Sequence, residues 1–183
     1  MDVPLIKSVY DLCKKCAHII WALKPPSISY ADRIAKLLFM TASHESYFIY
    51  RRQKGFSKTS DRGAFSLFQL EWNTIQDHLK WLSRKLLLTK AAEAFLINYT
   101  LPTSLLDPSN KQQILLILQE EQGDPLGCLY ARLHYLRIPE PIPGTIEEMG
   151  NYAKKYYNTY KGKARAEDYI RAFNKFYPIV QSR

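Results

Sequence analysis

Along most of the chain, apolar residues recur at intervals of three and four, the spacing that places side chains on one face of an α-helix. The first such run extends from Val3 to Leu23, and Pro25-Pro26 is expected to end it. A second run begins after Ser29, a good helix cap, and is expected to end near Glu45. Its stripe is formed by Ile34, Leu37, Leu38, Thr41 and Ala42.

The second half of the chain repeats the helical pattern several times. Asp124 is expected to cap the helix that Pro125 opens, and Thr145-Ile146-Glu147-Glu148 has the form of a capping box. Gly162 marks a break before the last helix. The predicted helices cover residues 73–85, 89–98, 109–122, 125–137, 145 to about 160, and 166–177.

Residues 47–69 have a different texture, with several basic residues, two glycines and no helical spacing. Within them, residues 62–70 are expected to form a short strand or a loop. The sequence therefore predicts a mainly α protein with a very small β element around residues 62–70. Because the length suits one hydrophobic core, we expect a single domain over residues 1–183. Its parts are an N-terminal helix (1–24), a core (28–137) and a C-terminal helical pair (145–177).

The composition is that of a globular protein, with 46% hydrophobic and 23% charged residues. The sequence has no run of about 18 apolar residues, so no membrane span is predicted. No signal peptide is predicted either, because Asp11, Lys14 and Lys15 interrupt the first apolar run. The net charge of +9 favours polyanionic partners such as nucleic acid, anionic lipid or acidic cell-wall polymers.

The three cysteines are an odd number, which argues against a disulfide framework. Cys13-x-x-Cys16, together with His18, has the form of a partial zinc or redox site. The same stretch has the spacing of an amphipathic helix, which favours buried free thiols for Cys13, Cys16 and Cys128. No metal and no cofactor is predicted.

Glu45 continues the apolar stripe of the second helix, four residues after Thr41. A carboxylate there is expected to be partly buried and to lie at the negative end of the helix dipole. Both effects favour the protonated form and raise the pKa, as a general acid near neutral pH requires. The alternative is a Glu45 that turns to solvent or pairs with a nearby arginine. Those arginines are Arg51, Arg52 and Arg62.

Two short segments, Ser43-His44-Glu45-Ser46 and Arg62-Gly63-Ala64-Phe65-Ser66-Leu67-Phe68-Gln69, stand in the order and spacing of a known pair of motifs. Together they resemble the lytic transglycosylases with a lysozyme-like fold. In that family a Glu-Ser pair at a helix end precedes a strand or loop of the form Gly-Leu-(Met/Phe)-Gln. The resemblance is nearest to the short phage- and prophage-encoded members. Residues 30–75 carry it, and a weaker likeness, which includes residues 130–141 and 156–159, extends to about residue 175.

The resemblance implies cleavage of peptidoglycan glycan strands, with Glu45 as general acid and base and without metal or cofactor. The substrate-binding residues that it implies are Ser46, which also orients Glu45, and Phe68, Gln69, Tyr130 and Tyr135. Asp61, between the two motifs, is a candidate for positioning a water molecule in a hydrolytic version, or else a turn residue. Trp72 is a candidate sugar platform or a core residue.

The chain departs from the family pattern at two places. Ser66 stands where the family has Gly. The family's third motif, Ala-x-Tyr-Asn-x-Gly, has no clean copy near its expected position at residues 130–135, and Tyr157-Asn158 is the alternative. These departures bear on activity more than on the fold.

The resemblance also implies a place of action, either a phage virion or the periplasm and cell wall of the host after delivery. Two other functions stay open. In the first alternative, the chain is a structural or adaptor component of a phage virion, built on the same fold with weak or lost activity and bound to other virion proteins. In the second alternative, the chain is a basic helical protein that binds nucleic acid. Because it has no recognisable motif for that role, no specific nucleic acid is predicted.

Overall fold

The computed structural model describes residues 2–19, 28–57, 59–158 and 163–182. Helices make up most of this part of the chain, and two short strands, β1 (Ala64–Phe65) and β2 (Leu70–Glu71), pair antiparallel. The helices are α1 (Val3–Ile19), α2 (Ile28–Ser46), α3 (Trp72–Leu82), α4 (Leu86–Asn98), α5 (Lys111–Ile117), α6 (Asp124–Leu136), α7 (Ile146–Tyr156) and α8 (Ala166–Gln181). The predicted mainly α class, with a very small β element around residues 62–70, is confirmed.

Two predicted helix boundaries are wrong. The helix predicted over residues 109–122 is instead a short series of elements, in which α5 lies between the 3-10 turns Pro108–Asn110 and Glu121–Gly123. Asp124 does not cap α6, because Gly123 is the N-cap and Asp124 is already the first helical residue. Its carboxylate is bound by an arginine from the loop after α2, and this distant contact overrides its capping role.

The predicted capping box at the start of α7 is confirmed. The Thr145 hydroxyl accepts a hydrogen bond from the amide of Glu148, and the Glu148 carboxylate accepts one from the amide of Thr145. The expected end of the first helix at Pro25-Pro26 and the expected break at Gly162 lie outside the described residues.

Helix α2 lies at the centre of the fold, in contact with α1, α6, α7 and α8. Its residues 37–43 are all buried, so this part of the helix is covered by protein on every side. The buried hydroxyls of Thr41 and Ser43 donate to carbonyl oxygens four residues earlier in the helix. The helix leaves the core in its last turn, and that turn carries Glu45.

The hydrophobic core is continuous from α1 to α8. Cys13 and Cys16 on α1 and Cys128 on α6 are free and fully buried within it, so the predicted buried thiols are confirmed. Across the described ranges, no three His, Cys, Asp or Glu side chains come together in a group that could hold a metal ion. None of the helices in the described part of the chain is long and apolar enough to cross a membrane.

The turn that follows α2 reverses the chain with two non-glycine residues in the left-handed region, Tyr47 at φ 50° and Phe48 at φ 57°. Two contacts hold this turn. The Ser46 hydroxyl donates to the carbonyl of Ala42 and accepts from the amide of Phe48. The Phe48 ring is buried, with ring centroids 5.3 Å from Phe39 and 5.0 Å from Phe176. Packing of Phe48 therefore offsets the backbone strain.

A two-pronged ion pair fastens the next part of the loop to α6. The guanidinium of Arg51 donates two hydrogen bonds of 2.8 Å to the two carboxylate oxygens of Asp124. The side chains are only 14% and 10% exposed, so the pair is shielded from solvent and salt. The loop thus has a fixed position relative to the end of α2.

Candidate active site

Glu45 lies in the last turn of α2, and two side chains from the C-terminal part of the chain hold its carboxyl group. The Tyr169 hydroxyl, on α8, donates a hydrogen bond of 2.5 Å to Oε1. The side chain of Asn158, two residues after the end of α7, also hydrogen-bonds to the carboxyl group. The rings of His44 and Tyr169 pack at a tilt of 35° with centroids 3.9 Å apart, which helps to fix the tyrosine.

Burial raises the pKa of Glu45 to about 7, in the direction that its position on the apolar stripe predicts. The hydrogen bonds from Tyr169 and Asn158 act in the opposite sense, because they favour the ionised carboxylate, but they are the smaller effects. The C-terminal end of α2 adds a negative potential that also favours the protonated form. A carboxyl group of this kind exchanges its proton near neutral pH.

The three arginines that could have neutralised Glu45 are engaged or placed elsewhere. Arg51 binds Asp124. The guanidinium of Arg52 lies 4.0 Å from the centroid of the Phe65 ring and donates to the carbonyl oxygens of Ser60 and Arg62. Arg62 lines a neighbouring cavity.

The carboxyl group of Glu45 faces a cleft of about 290 Å³. Polar and aromatic side chains dominate its walls, which suits a ligand rich in hydroxyl and amide groups. The lining residues are Glu45, Gln69, Leu70, Glu71, Thr74, His134, Tyr157 and Asn158.

Two further cavities adjoin this cleft. A cavity of about 640 Å³, whose walls include Asp77, His78 and Arg137, shares Thr74 and His134 with it. A cavity of about 350 Å³ shares Glu71 with the cleft and Asn73 with the 640 Å³ cavity. The three adjoining cavities form one groove that Glu45 lines, and their combined extent suits a chain-like ligand.

Gln69 is the one predicted substrate-binding residue that lines the cleft with Glu45. Its backbone has φ 48°, and its side-chain amide donates to the carbonyl oxygens of Ser66 at 2.8 Å and Tyr50 at 3.3 Å. The side chain therefore braces the loop. Both of these hydrogen bonds use the amide nitrogen, so among the described residues the amide oxygen is the atom of Gln69 left to accept from a ligand.

The other four predicted substrate-binding side chains lie in the core beneath the cleft. Ser46 closes the end of α2, and Phe68 is fully buried. The Tyr130 hydroxyl donates to the carbonyl of Leu105, and the Tyr135 hydroxyl shares a hydrogen bond with that of Thr41. Their burial assigns them to packing, and this placement corrects the expectation that they line the cleft.

Asp61 lies in the neighbouring cavity and not in the section that holds Glu45. Its carboxylate is 2.7 Å from the ammonium group of Lys111, whose hydrogen bond and charge lower the pKa of Asp61. Trp72 lines the same cavity, half-buried, with the Lys111 ammonium 5.5 Å from its ring centroid. The predicted roles of both residues stay predictions.

Two residues that the sequence analysis did not assign to the site are part of it. Tyr169 belongs to the apolar stripe of α8, so its spacing alone indicates a core residue. Glu71, the N-cap of α3, lines the cleft as a second carboxyl group. Tyr157-Asn158, the alternative location for the third motif, does come to the cleft. The Tyr157 hydroxyl there donates to the carbonyl of Phe68 at 2.6 Å.

A directed chain of hydrogen bonds joins the groove to the end of α7. Arg137 donates to Nδ1 of His78 at 2.9 Å, and Nε2 of His78 is 3.1 Å from Nδ1 of His134. Nε2 of His134 is 2.7 Å from the carbonyl oxygen of Tyr156, which accepts a hydrogen bond from it. Because arginine donates and a carbonyl accepts, both imidazoles are neutral with their protons on Nε2. Burial, assisted by the charges around it, lowers the pKa of His78 to about 3.

In comparisons with protein-family models, with curated proteins and with solved structures, no match to this chain is found. The site is therefore defined by its geometry alone. In this mainly α protein, a partly buried glutamate faces a polar groove.

Proposed function

We propose that this protein cleaves glycosidic bonds in the glycan strands of peptidoglycan, with Glu45 as the carboxyl group that acts first as acid and then as base. The observation that carries the proposal is the state of Glu45. It faces a cleft, its pKa is raised to about 7, and uncharged donors instead of a basic residue hold it. The motif resemblance of residues 43–46 and 62–69 supplies the substrate class.

In the first step, protonated Glu45 donates its proton to the glycosidic oxygen while the bond from that oxygen to the anomeric carbon breaks. The sugar passes through an oxocarbenium-like transition state. Tyr169 and Asn158 support this step because their hydrogen bonds stabilise the carboxylate that forms as the proton leaves. The two hydrogen bonds therefore lower the free energy of the ionised Glu45 as the proton is transferred.

In the second step, the Glu45 carboxylate takes a proton from the hydroxyl that attacks the anomeric carbon. If that hydroxyl belongs to the same sugar, a 1,6-anhydro ring closes and no water is consumed. If it belongs to water, the product is the ordinary reducing sugar. Glu71 lines the same cleft as a second carboxyl group that could assist a water, so the effect of its removal distinguishes the two outcomes.

The test is incubation of purified peptidoglycan with the wild type, Glu45→Gln and Glu71→Gln, followed by mass analysis of the released fragments. Loss of the general acid is expected to reduce release by about a hundredfold or more. Retained activity of Glu71→Gln, with fragments one water lighter than hydrolysed ones, is the result expected for a single-carboxylate mechanism. Equal release by wild type and Glu45→Gln would contradict the proposal.

A second candidate function is a structural component of a phage virion. The observation that favours it is the use of Gln69 as a brace, together with the burial of four side chains expected to contact substrate. For that role, we expect intact peptidoglycan after incubation with the wild type. We also expect the protein in purified particles at a fixed ratio to the other virion proteins.

A further inference from the structure

The loop of residues 47–56, called here the aromatic loop, exposes several large apolar side chains to solvent. Ile49 is 65% exposed, and Tyr47, Tyr50 and Phe56 are each between 38% and 39% exposed. Four large apolar side chains thus face solvent within ten residues. Single exposed apolar residues are ordinary, whereas a concentration of them indicates a surface that binds something.

The exposure is not a consequence of a loose loop. The backbone of the aromatic loop is joined to β1 by an isolated bridge between Arg52 and Phe65 and by a bond of 3.0 Å from the amide of Gln53 to the carbonyl of Ala64. At its start, the ring of Phe48 is buried in the core. The chain therefore holds the exposed side chains outward on a fixed support.

The same loop carries an excess of positive charge, although its Arg51 is paired with Asp124. The sequence has no acidic residue between Ser46 and Ser60. The ammonium group of Lys54 lies 4.4 Å from the centroid of the Tyr50 ring, and that of Lys175, from α8, lies 5.6 Å from the Tyr47 ring. Gly55, at φ 87°, has open space around it, so the tip of the loop is unobstructed.

We infer that the aromatic loop is a docking surface for an anionic phospholipid bilayer. Tyrosine rings flanked by lysines suit the level of lipid headgroups, where an apolar body and a polar tip are both accommodated. Ile49, the most exposed of the set, suits insertion into the acyl boundary below them. The excess of lysine supplies attraction to anionic headgroups.

Ile49 also decides between a bilayer and nucleic acid. A single-stranded nucleic acid would use aromatic faces for stacking and cations for phosphates, but it gains little from an aliphatic side chain. The contact is peripheral, since the loop lies on the surface and spans nothing. This inference goes beyond the proposed cleavage reaction, because Glu45 takes no part in it.

The first test is sedimentation of the protein with vesicles. We expect binding to vesicles of phosphatidylcholine with about a third phosphatidylglycerol, little binding to pure phosphatidylcholine, and weakening by salt. Ile49→Asp is expected to reduce the partition coefficient by about tenfold or more. Lys54→Glu is expected to reduce it for the anionic vesicles in particular.

The matched control is Ile97→Asp on α4, because Ile97 is exposed to nearly the same extent as Ile49, 64% against 65%. Thermal melting is expected to be unchanged in both variants, so a difference in vesicle binding is not a folding effect. The inference is overturned if Ile97→Asp reduces binding as much as Ile49→Asp does. It is also overturned if the wild type does not bind, or if it binds duplex DNA and ignores the vesicles.

A second measurement locates the loop in the bilayer. Ile49→Trp adds a fluorophore at the proposed contact, and Ile97→Trp adds one at the control position. With the fluorescence of the parent protein subtracted, vesicles of brominated lipid are expected to quench the added signal of Ile49→Trp and to leave that of Ile97→Trp unchanged. Equal quenching of the two would contradict insertion through the aromatic loop.

Discussion

The side chain of Ser66 occupies the volume that a side chain at Gly127 would fill. A Cβ atom on Gly127 would lie 2.6 Å from Cβ and 2.7 Å from Oγ of Ser66, closer than side chains approach one another. Ser66 itself has φ 64°, in the region that favours glycine, and its hydroxyl accepts a hydrogen bond from the amide of Phe68. Helix α6 can therefore lie against the turn between β1 and β2 because residue 127 has no side chain.

This relationship predicts a compensating pair. Gly127→Ala is expected to destabilise the fold by about 1–3 kcal/mol through overpacking. Ser66→Gly is expected to be nearly neutral, because relief of the left-handed backbone offsets the lost hydrogen bond. The double variant is expected to recover about 1–2 kcal/mol of the Gly127→Ala loss, which denaturant unfolding measures.

Gly144→Ala is the control for this pair. The nearest atoms to a Cβ at that position belong to Arg33 at 3.5 Å or more, an ordinary contact distance. We expect a small change in the free energy of unfolding and no coupling to Ser66→Gly. Additive effects of Ser66→Gly and Gly127→Ala would show that the two positions do not share space.

The second prediction concerns Tyr169 and the pH profile of cleavage. Activity that requires protonated Glu45 is expected to fall as the pH rises through about 7. Tyr169→Phe removes a donor that favours the carboxylate, so the alkaline limb is expected to move upward by about one pH unit. Cleavage at neutral pH is also expected to slow, since the carboxyl group loses a positioning contact.

Tyr177→Phe is the matched change on the same helix. Its hydroxyl shares a hydrogen bond with that of Tyr10 and not with Glu45, so this variant is expected to leave the alkaline limb in place. If the alkaline limb moves equally in the two variants, or stays fixed in Tyr169→Phe, the Tyr169 hydroxyl does not influence the pKa of Glu45.

The third prediction concerns stability and Glu45. Because its pKa in the fold is raised above the ordinary value, its contribution is fully present below about pH 4.5 and is lost as the pH rises through about 7. Glu45→Gln is expected to raise the free energy of unfolding at pH 8 by on the order of 1–2 kcal/mol and to change it little at pH 4. Glu147→Gln, an exposed residue in the first turn of α7, is the control. An equal gain at both pH values would contradict the assignment.

The two histidines in the groove, His78 and His134, are expected to change the pH dependence of stability in the opposite direction to Glu45. Burial lowers the pKa of His78 to about 3, and burial also lowers that of His134. Their contribution to stability is therefore present above about pH 6.5 and is lost as the pH falls toward 3, since the unfolded chain binds the protons. His78→Gln is expected to flatten the decline of stability in this window, as measured by urea unfolding at a series of pH values.

The exposed His18 on α1 provides the comparison for that series. His18→Gln is expected to leave the slope of stability against pH close to that of the wild type. If His78→Gln keeps the full wild-type slope between pH 6.5 and 4, the hydrogen-bond chain from Arg137 to Tyr156 is not what makes the fold sensitive to acid.

Local pattern predicted the features that local physics controls. The helical periodicity located the start of α1 and the whole of α2, α6, α7 and α8 to within a few residues, and the capping box at Thr145 formed as expected. The burial of Glu45 followed from its place on the stripe of α2. These features depend on neighbours within one or two turns, which a single sequence displays.

What the sequence could not predict depends on distant contacts. Asp124 looks like a cap until Arg51, 73 residues away, binds it. Tyr130 and Tyr135 lie on a helix that is buried on nearly every side, so spacing could not separate a tyrosine that faces substrate from one that fills the core. Tyr169, which holds Glu45, is separated from it by 124 residues and looks like its apolar neighbours Phe173 and Phe176.

That long separation has a consequence for synthesis of the chain. Helix α2 can form from its own residues early, but the Tyr169 side chain that holds Glu45 belongs to a residue made 124 positions later. Until α8 has docked, Glu45 is an ordinary surface carboxylate, ionised at neutral pH and unable to donate a proton. The raised pKa of Glu45 is therefore a product of long-range folding and not of the local formation of helix α2.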